Sequence, residues 1–186
     1  MKKQFTKLRY VVLLFFTTPF MSASTTVAQP EEIHLHASFD ALLQKYISGV
    51  GVRYAAWAEN DVDRTELQNY VKRLETVMPD SLSKDDALAF WINLYNAVTV
   101  RLIVENYPVK SIKDLGGWFR TPWQKNLVII DGEKLTLNEI EHDIIRKRFT
   151  DSRIHFALNC ASIGCPPLSA RAFTGANLDQ QLQQIT

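Results

Sequence analysis

The chain contains only two cysteines, Cys160 and Cys165, among 186 residues. A framework of several disulfides is therefore excluded, and the sole internal bridge is Cys160–Cys165. With no second pair, and with a C-x4-C spacing, the standard structural zinc patterns do not apply. Nor is there a cysteine behind the amino-terminal apolar run to mark a lipoprotein. Charge of one sign is also missing, with 21 Lys and Arg against 20 Asp and Glu. A nucleic-acid binder needs a basic face, and attachment to an anionic membrane surface needs a basic cluster. Neither is expected. No internal repeat or low-complexity tract is visible, and the length suits one domain.

The first residues form a separate unit. Lys2, Lys3, Lys7 and Arg9 precede the apolar Tyr10 to Phe16, and small residues follow. This is the layout of a secretory signal peptide over residues 1–28, with Thr26-Val27-Ala28 or Met21-Ser22-Ala23 at the cleavage point. The apolar part is too short for a stable span. Export to the periplasm or medium is the expectation, with no stable membrane insertion after cleavage. Removing the four basic residues of 1–28, which has no acidic ones, takes the formal charge from +1 to −3. An exported protein can keep a disulfide.

Residues 29–37 read as a mobile lead-in and 38–186 as one domain. Ser38 can cap a helix with Phe39, Leu42, Leu43, Tyr46 and Ile47 inward, and Asp61 or Asp63 can open a second with Leu67, Tyr70, Val71, Leu74 and Val77 inward, closed by Pro79. Ser83 to Asn106 is the longest helical signal, opened by Ser83 and Asp86 and apolar nearly all round. Such a helix belongs at the centre of its domain. Asn93, Asn96 and Arg101 interrupt it, and for a membrane span it is short. Asn93 and Asn96 share a face. Buried amides need hydrogen-bond partners, so they either tie down a neighbouring loop or line a site.

Ser111 to Leu115 forms a turn of helix. Trp118 and Trp123 stand in a Gly- and Pro-punctuated loop, as the wall of a binding site or as packing. Lys125 to Ile130, Asp131-Gly132 and Glu133 to Leu135 read as a β-hairpin. Thr136 and Glu139 form a capping box that opens a helix through about Arg148. His142 falls on its polar flank. Ile154, Phe156 and Leu158 alternate with Arg153, His155 and Ala157, which predicts a short strand, although a short buried helix has the same composition. Asn177 can cap a last helix through Leu178, Leu182 and Ile185. That helix reaches Thr186 without a stop signal, so a truncated domain is expected.

The reactive groups concentrate at residues 153–168. A nucleophilic cysteine needs a thiolate, usually supplied by an imidazole. Cys160 and Cys165 are the candidates, with His155 or His142 as base and Glu141, Glu139 or Asn159 to orient it. His155 and Cys160 are five positions apart, which faces them away from each other on a strand and on a helix. Nucleophile, disulfide and buried packing all fit the residues.

Ala89-Phe-Trp-Ile-Asn-Leu-Tyr-Asn-Ala97, Ser111-Ile-Lys-Asp114, Ile140-Glu-His142 and Arg153-Ile-His-Phe-Ala-Leu-Asn-Cys-Ala-Ser-Ile-Gly-Cys-Pro-Pro-Leu168 together resemble the domain-of-unknown-function 547 family over roughly residues 60–186. The resemblance implies a mainly helical α+β domain, found in secreted bacterial proteins and in plant proteins, with no established activity. It also implies that the end of the domain lies beyond Thr186. A looser analogy runs to papain-like and transglutaminase-like cysteine enzymes. Two functions are therefore expected as alternatives. One is a thiol-dependent hydrolase or acyltransferase acting on a peptide, amide or small thiol compound, with Asn93, Asn96, Trp118 and Trp123 near its substrate. The other is a non-catalytic domain that binds a small molecule, a peptide or a protein. Neither calls for a cofactor.

Overall fold

The computed structural model describes residues 35–49, 51–117, 121–162 and 164–186. The proposed signal peptide, most of the lead-in and Trp118 lie outside the described residues.

The fold is built on the long helix Lys84–Val104. Ahead of it, helix α1 (Ala37–Tyr46) leads into a two-residue antiparallel ladder of β1 (Ile47–Ser48) and β2 (Gly51–Val52), followed by α2 (Tyr54–Glu59) and α3 (Asp61–Leu74). A 3-10 turn at Pro79–Ser81 precedes the long helix, α4 (Lys84–Val104). The start of α4 is set by local chemistry: Ser83 Oγ accepts from Asp86 N at 3.2 Å and donates to Asp86 Oδ2 at 2.7 Å. Every residue from Ala87 to Val100 is buried. By length and composition α4 could cross a membrane, against the expectation that it is too short. However, 94% of its most apolar 18-residue window is buried inside the protein. It packs against α2, α3 and the segments that follow it. Ile92, Leu94 and Val98 are fully buried, and burying each such side chain contributes about 1.5–3 kcal/mol.

Caps elsewhere differ from expectation by a residue or two. Helix α1 starts at Ala37 rather than behind Ser38, whose hydroxyl accepts from Arg73 instead. Asn60, not Asp61 or Asp63, caps α3, with its Oδ1 accepting from Asp63 N at 3.1 Å. Asn177 makes no side-chain cap for the last helix.

After α4 the chain forms 3-10 turns at Ile112–Leu115 and Pro122–Gln124, then the hairpin of β3 (Val128–Ile130) and β4 (Glu133–Leu135). Asp131 and Gly132 have φ of 51° and 79°, the positive angles a tight two-residue turn requires. The capping box at Thr136 and Glu139 is present in full: Glu139 Oε2 accepts from Thr136 N at 2.8 Å, and Thr136 Oγ1 accepts from Glu139 N at 3.1 Å. Beyond it the chain winds as a π-helix over Glu139–Ile145 and returns to α form in α5 (Arg146–Arg148). Apolar periodicity does not signal the π form, which the helix expected here did not include.

The predicted short strand at 154–158 is not formed. Residues Ile154–Ala157 make a single helical turn, α6. Ile154 and Leu158 are buried while Phe156 is 40% exposed. The buried pair is thus spaced by four, the helical interval. A 3-10 turn at Gly175–Asn177 and α7 (Leu178–Gln184) complete the described fold. Gly175 lies against the amino terminus of α4. A Cβ there would clash with the Asp86 carboxylate and meet Asp86 N at 2.9 Å, so a side chain at 175 would displace the α4 cap.

Candidate functional site

Three segments converge on α4 and carry the residues singled out above. The two amides of α4 serve as clamps. Asn93 Nδ2 donates to Phe173 O at 2.7 Å, and Asn93 Oδ1 accepts from Phe173 N at 2.9 Å. Asn96 Nδ2 donates to Ala157 O at 2.9 Å, and its Oδ1 accepts from Asn159 N at 2.9 Å. Both amides are buried. Each supplies a donor and an acceptor to backbone that would otherwise be buried and unpaired.

Asn159 extends the second clamp into the cysteine loop. Its Nδ2 donates to Pro166 O at 2.7 Å, across the mouth of the loop, and its Oδ1 accepts from Ala161 N at 3.0 Å. Cys165 N donates to Ser162 O at 3.0 Å. Ala161 has φ of 54° and Gly164 has φ of 91°. The left-handed value is uncommon for Ala, and the bond to Asn159 holds it there. Cys160 and Cys165 are joined in a disulfide with Cα atoms 6.0 Å apart. A bridge closing so short a loop contributes about 2 kcal/mol in the chain-entropy picture.

The candidate bases lie on two helical elements outside this loop. His142 is exposed on the π-helix and His155 is exposed on α6. The His155 ring meets Phe156 edge-on at 5.5 Å. Among the described residues no hydrogen bond joins either imidazole to Cys160 or Cys165. Glu141 is engaged elsewhere: Tyr95 OH donates to its Oε2 at 3.1 Å, and Arg146 donates to its Oε1 through Nη2 at 2.7 Å. Burial, with the Glu141 carboxylate beside it, pushes the Tyr95 hydroxyl well above its ordinary pKa. Trp123 is half-buried against the hydrophobic core, with its indole N–H unpaired among the described residues. Also among the described residues, no group of three or more His, Cys, Asp or Glu is arranged to hold a metal.

Two grooves are lined by residues outside the cysteine loop. A groove of about 310 Å³ is lined by Ile145, Arg146, Phe149, Thr150, Asp151, Ser152, Ile154, His155 and Leu158. Ile145, Phe149, Ile154 and Leu158 are buried residues and form an apolar floor. Thr150, Ser152 and His155 are exposed, and their side chains make no hydrogen bond among the described residues. A second groove of about 470 Å³ shares Phe149, Thr150 and Asp151 with the first and continues to Leu88, Arg153, Leu178 and Asp179. Arg153 is fixed between Asp151 at 2.7 Å and Asp179 at 2.8 Å. Of the groove residues only His155 stands out in the sequence. Thr150 and Ser152 lie in a polar connection that no motif marks.

A helical α+β domain with two amide clamps and a bridged loop is the class this arrangement defines. A family model described as "Protein of unknown function, DUF547" matches residues 79–186, more than half of the chain. The chain belongs to that family. All four stretches that carried the resemblance fall inside the matched region. Comparison with curated proteins and with solved structures gave no match.

Proposed function

We propose that the protein is an exported, non-catalytic binding domain whose ligand, a peptide or small molecule, sits in the groove between Ile145 and Leu158. One observation carries the reading. Three polar side chains without internal partners, Thr150, Ser152 and His155, border an apolar floor. Convergent polar groups over an apolar surface are what a ligand site requires. The mixture suits an amphipathic ligand with an apolar body and an anionic end. This reading is preferred to thiol-dependent hydrolysis or acyl transfer because that chemistry needs a thiolate with an imidazole at it. Here the sulfurs are bonded to each other and neither histidine is hydrogen-bonded to them.

The test is amide chemical-shift mapping with short peptides that end in an aromatic residue and a free carboxylate. Shifts are expected to cluster at residues 145–158. His155→Ala should weaken binding about tenfold, the loss of one charge-assisted hydrogen bond. Cys160→Ser should leave it unchanged. Ester or thioester hydrolysis that depends on Cys160 would replace the binding reading with the enzymatic one.

Export rests on residues 1–28 and is proposed with it. The mature protein should begin at Gln29 or Ser24 when its intact mass is measured. A mature chain that retains Met1 would sink the proposal.

A further inference from the structure

We propose that Cys160 and Cys165 are a reversible dithiol–disulfide couple that exchanges two electrons with a dithiol, carried by a polypeptide or by a small molecule. This goes beyond the binding reading, and neither cysteine lines either groove.

The first support is that the loop is closed without its bridge. The Asn159 amide spans the loop to Pro166 O at 2.7 Å and holds Ala161 N at 3.0 Å. Asn96 fixes Asn159 N to α4 at 2.9 Å. These bonds do not involve sulfur, so breaking the bridge leaves the two thiols opposed, with Cα atoms near the 6.0 Å that a disulfide needs. A couple that cycles must keep its sulfurs together in both states, and this loop does so by hydrogen bonding. The second support is access. Both cysteines are half-buried rather than enclosed, and exposed disulfides are the ones open to exchange. The third is that a bridge between residues five apart contributes only about 2 kcal/mol by constraining the unfolded chain, the low end of what a disulfide supplies. The left-handed Ala161, with φ of 54°, is a strained residue in the loop that joins the two cysteines, and strain of this kind collects at working sites.

A thiolate of the dithiol attacks one sulfur of the bridge. The Cys160–Cys165 bond breaks, its electron pair leaves on the other sulfur, and a mixed disulfide forms. The second thiol of the dithiol, deprotonated, attacks its own partner sulfur in that mixed disulfide and expels the remaining cysteine thiolate. The dithiol is oxidised to a disulfide, and the two cysteines are reduced and take up the two protons it lost.

The experiment equilibrates the full chain in graded mixtures of reduced and oxidised glutathione, traps it with acid and counts alkylated thiols by mass. Two thiols should appear together, with half conversion inside the glutathione range and far-ultraviolet circular dichroism unchanged. Asn159→Ala should lower the equilibrium constant for closing the bridge about tenfold and move the midpoint to more oxidising mixtures. In a second arm the oxidised chain is mixed with a two-cysteine peptide. One peptide disulfide should form per chain, and none with Cys160→Ser or Cys165→Ser. Faster reaction with the peptide than with glutathione assigns a polypeptide partner, and the reverse assigns a small thiol. A bridge that survives a hundredfold excess of reduced glutathione in the folded protein would overturn the proposal. So would thiols that appear only as the circular dichroism is lost.

Discussion

Acidification from pH 7 to pH 4 is expected to remove about 3 kcal/mol of folding stability through one residue, His36. Its side chain is 2% exposed, and its Nδ1 lies 2.7 Å from the hydroxyl of Tyr70, itself fully buried. Burial disfavours the imidazolium and lowers the pKa from 6.5 to about 4, while the Asp86 carboxylate pulls it back part of the way. The sign follows from which state binds the proton. Above 6.5 both states are neutral at this residue and nothing is lost. Between 6.5 and about 4 the unfolded chain is protonated and the folded one is not. Stability therefore falls as pH falls, by about 1.4 kcal/mol per unit. Below about 4 both carry the proton and the loss levels off. Urea denaturation across this pH range measures it. His36→Gln, which keeps a polar partner for Tyr70, should flatten the slope over this window. A wild-type slope that the variant reproduces would show that other groups cause it.

Asn93→Ala is expected to be the most damaging single substitution at the core amides. It removes the partner of both Phe173 N and Phe173 O, which lie 2.9 and 2.7 Å from the side chain in a fully buried setting. Leaving one buried backbone group unpaired costs about 1–3 kcal/mol, and here there are two. The expected loss is about 3–5 kcal/mol, which for a domain of this size lowers Tm by about 10 °C. Asn93→Asp separates the components. It keeps the acceptor for Phe173 N, loses the donor to Phe173 O and places a carboxylate in the core. Recovery of most of the stability as the introduced carboxylate is protonated at low pH is the expected result. A loss below about 1 kcal/mol for Asn93→Ala would mean that water replaces the amide.

The parts of this fold that are legible in the sequence are those in which neighbours decide the structure. Ser83 with Asp86, Thr136 with Glu139, and Asp131-Gly132 each specify a cap or a turn over a few residues, and each is formed as read. The central position of α4 follows from its composition alone. The alternation at Ile154, Phe156 and Leu158 fits a strand and a helix equally, and only the burial of Ile154 and Leu158 against the core decides it. His36 reads as part of a mobile lead-in, yet it continues the stripe of Phe39, Leu43 and Tyr46 one turn back. At the candidate site, the sequence shows that buried amides at 93 and 96 need partners and cannot say which. Their partners lie 80 and 61 positions away. The groove is not legible because its floor comes from apolar residues of two segments that the sequence offers no reason to join.

Those separations also bear on when the domain becomes complete. Synthesis delivers the amino-terminal part first. Helix α4 leaves the ribosome with two amides committed to backbone that has not yet been made. Until Phe173 is available, Asn93 has only water as a partner, and the apolar surface around it stays open. The segments from Ala157 to Phe173 thus act as a latch. A chain that ends before them leaves both amides of α4 without their backbone partners.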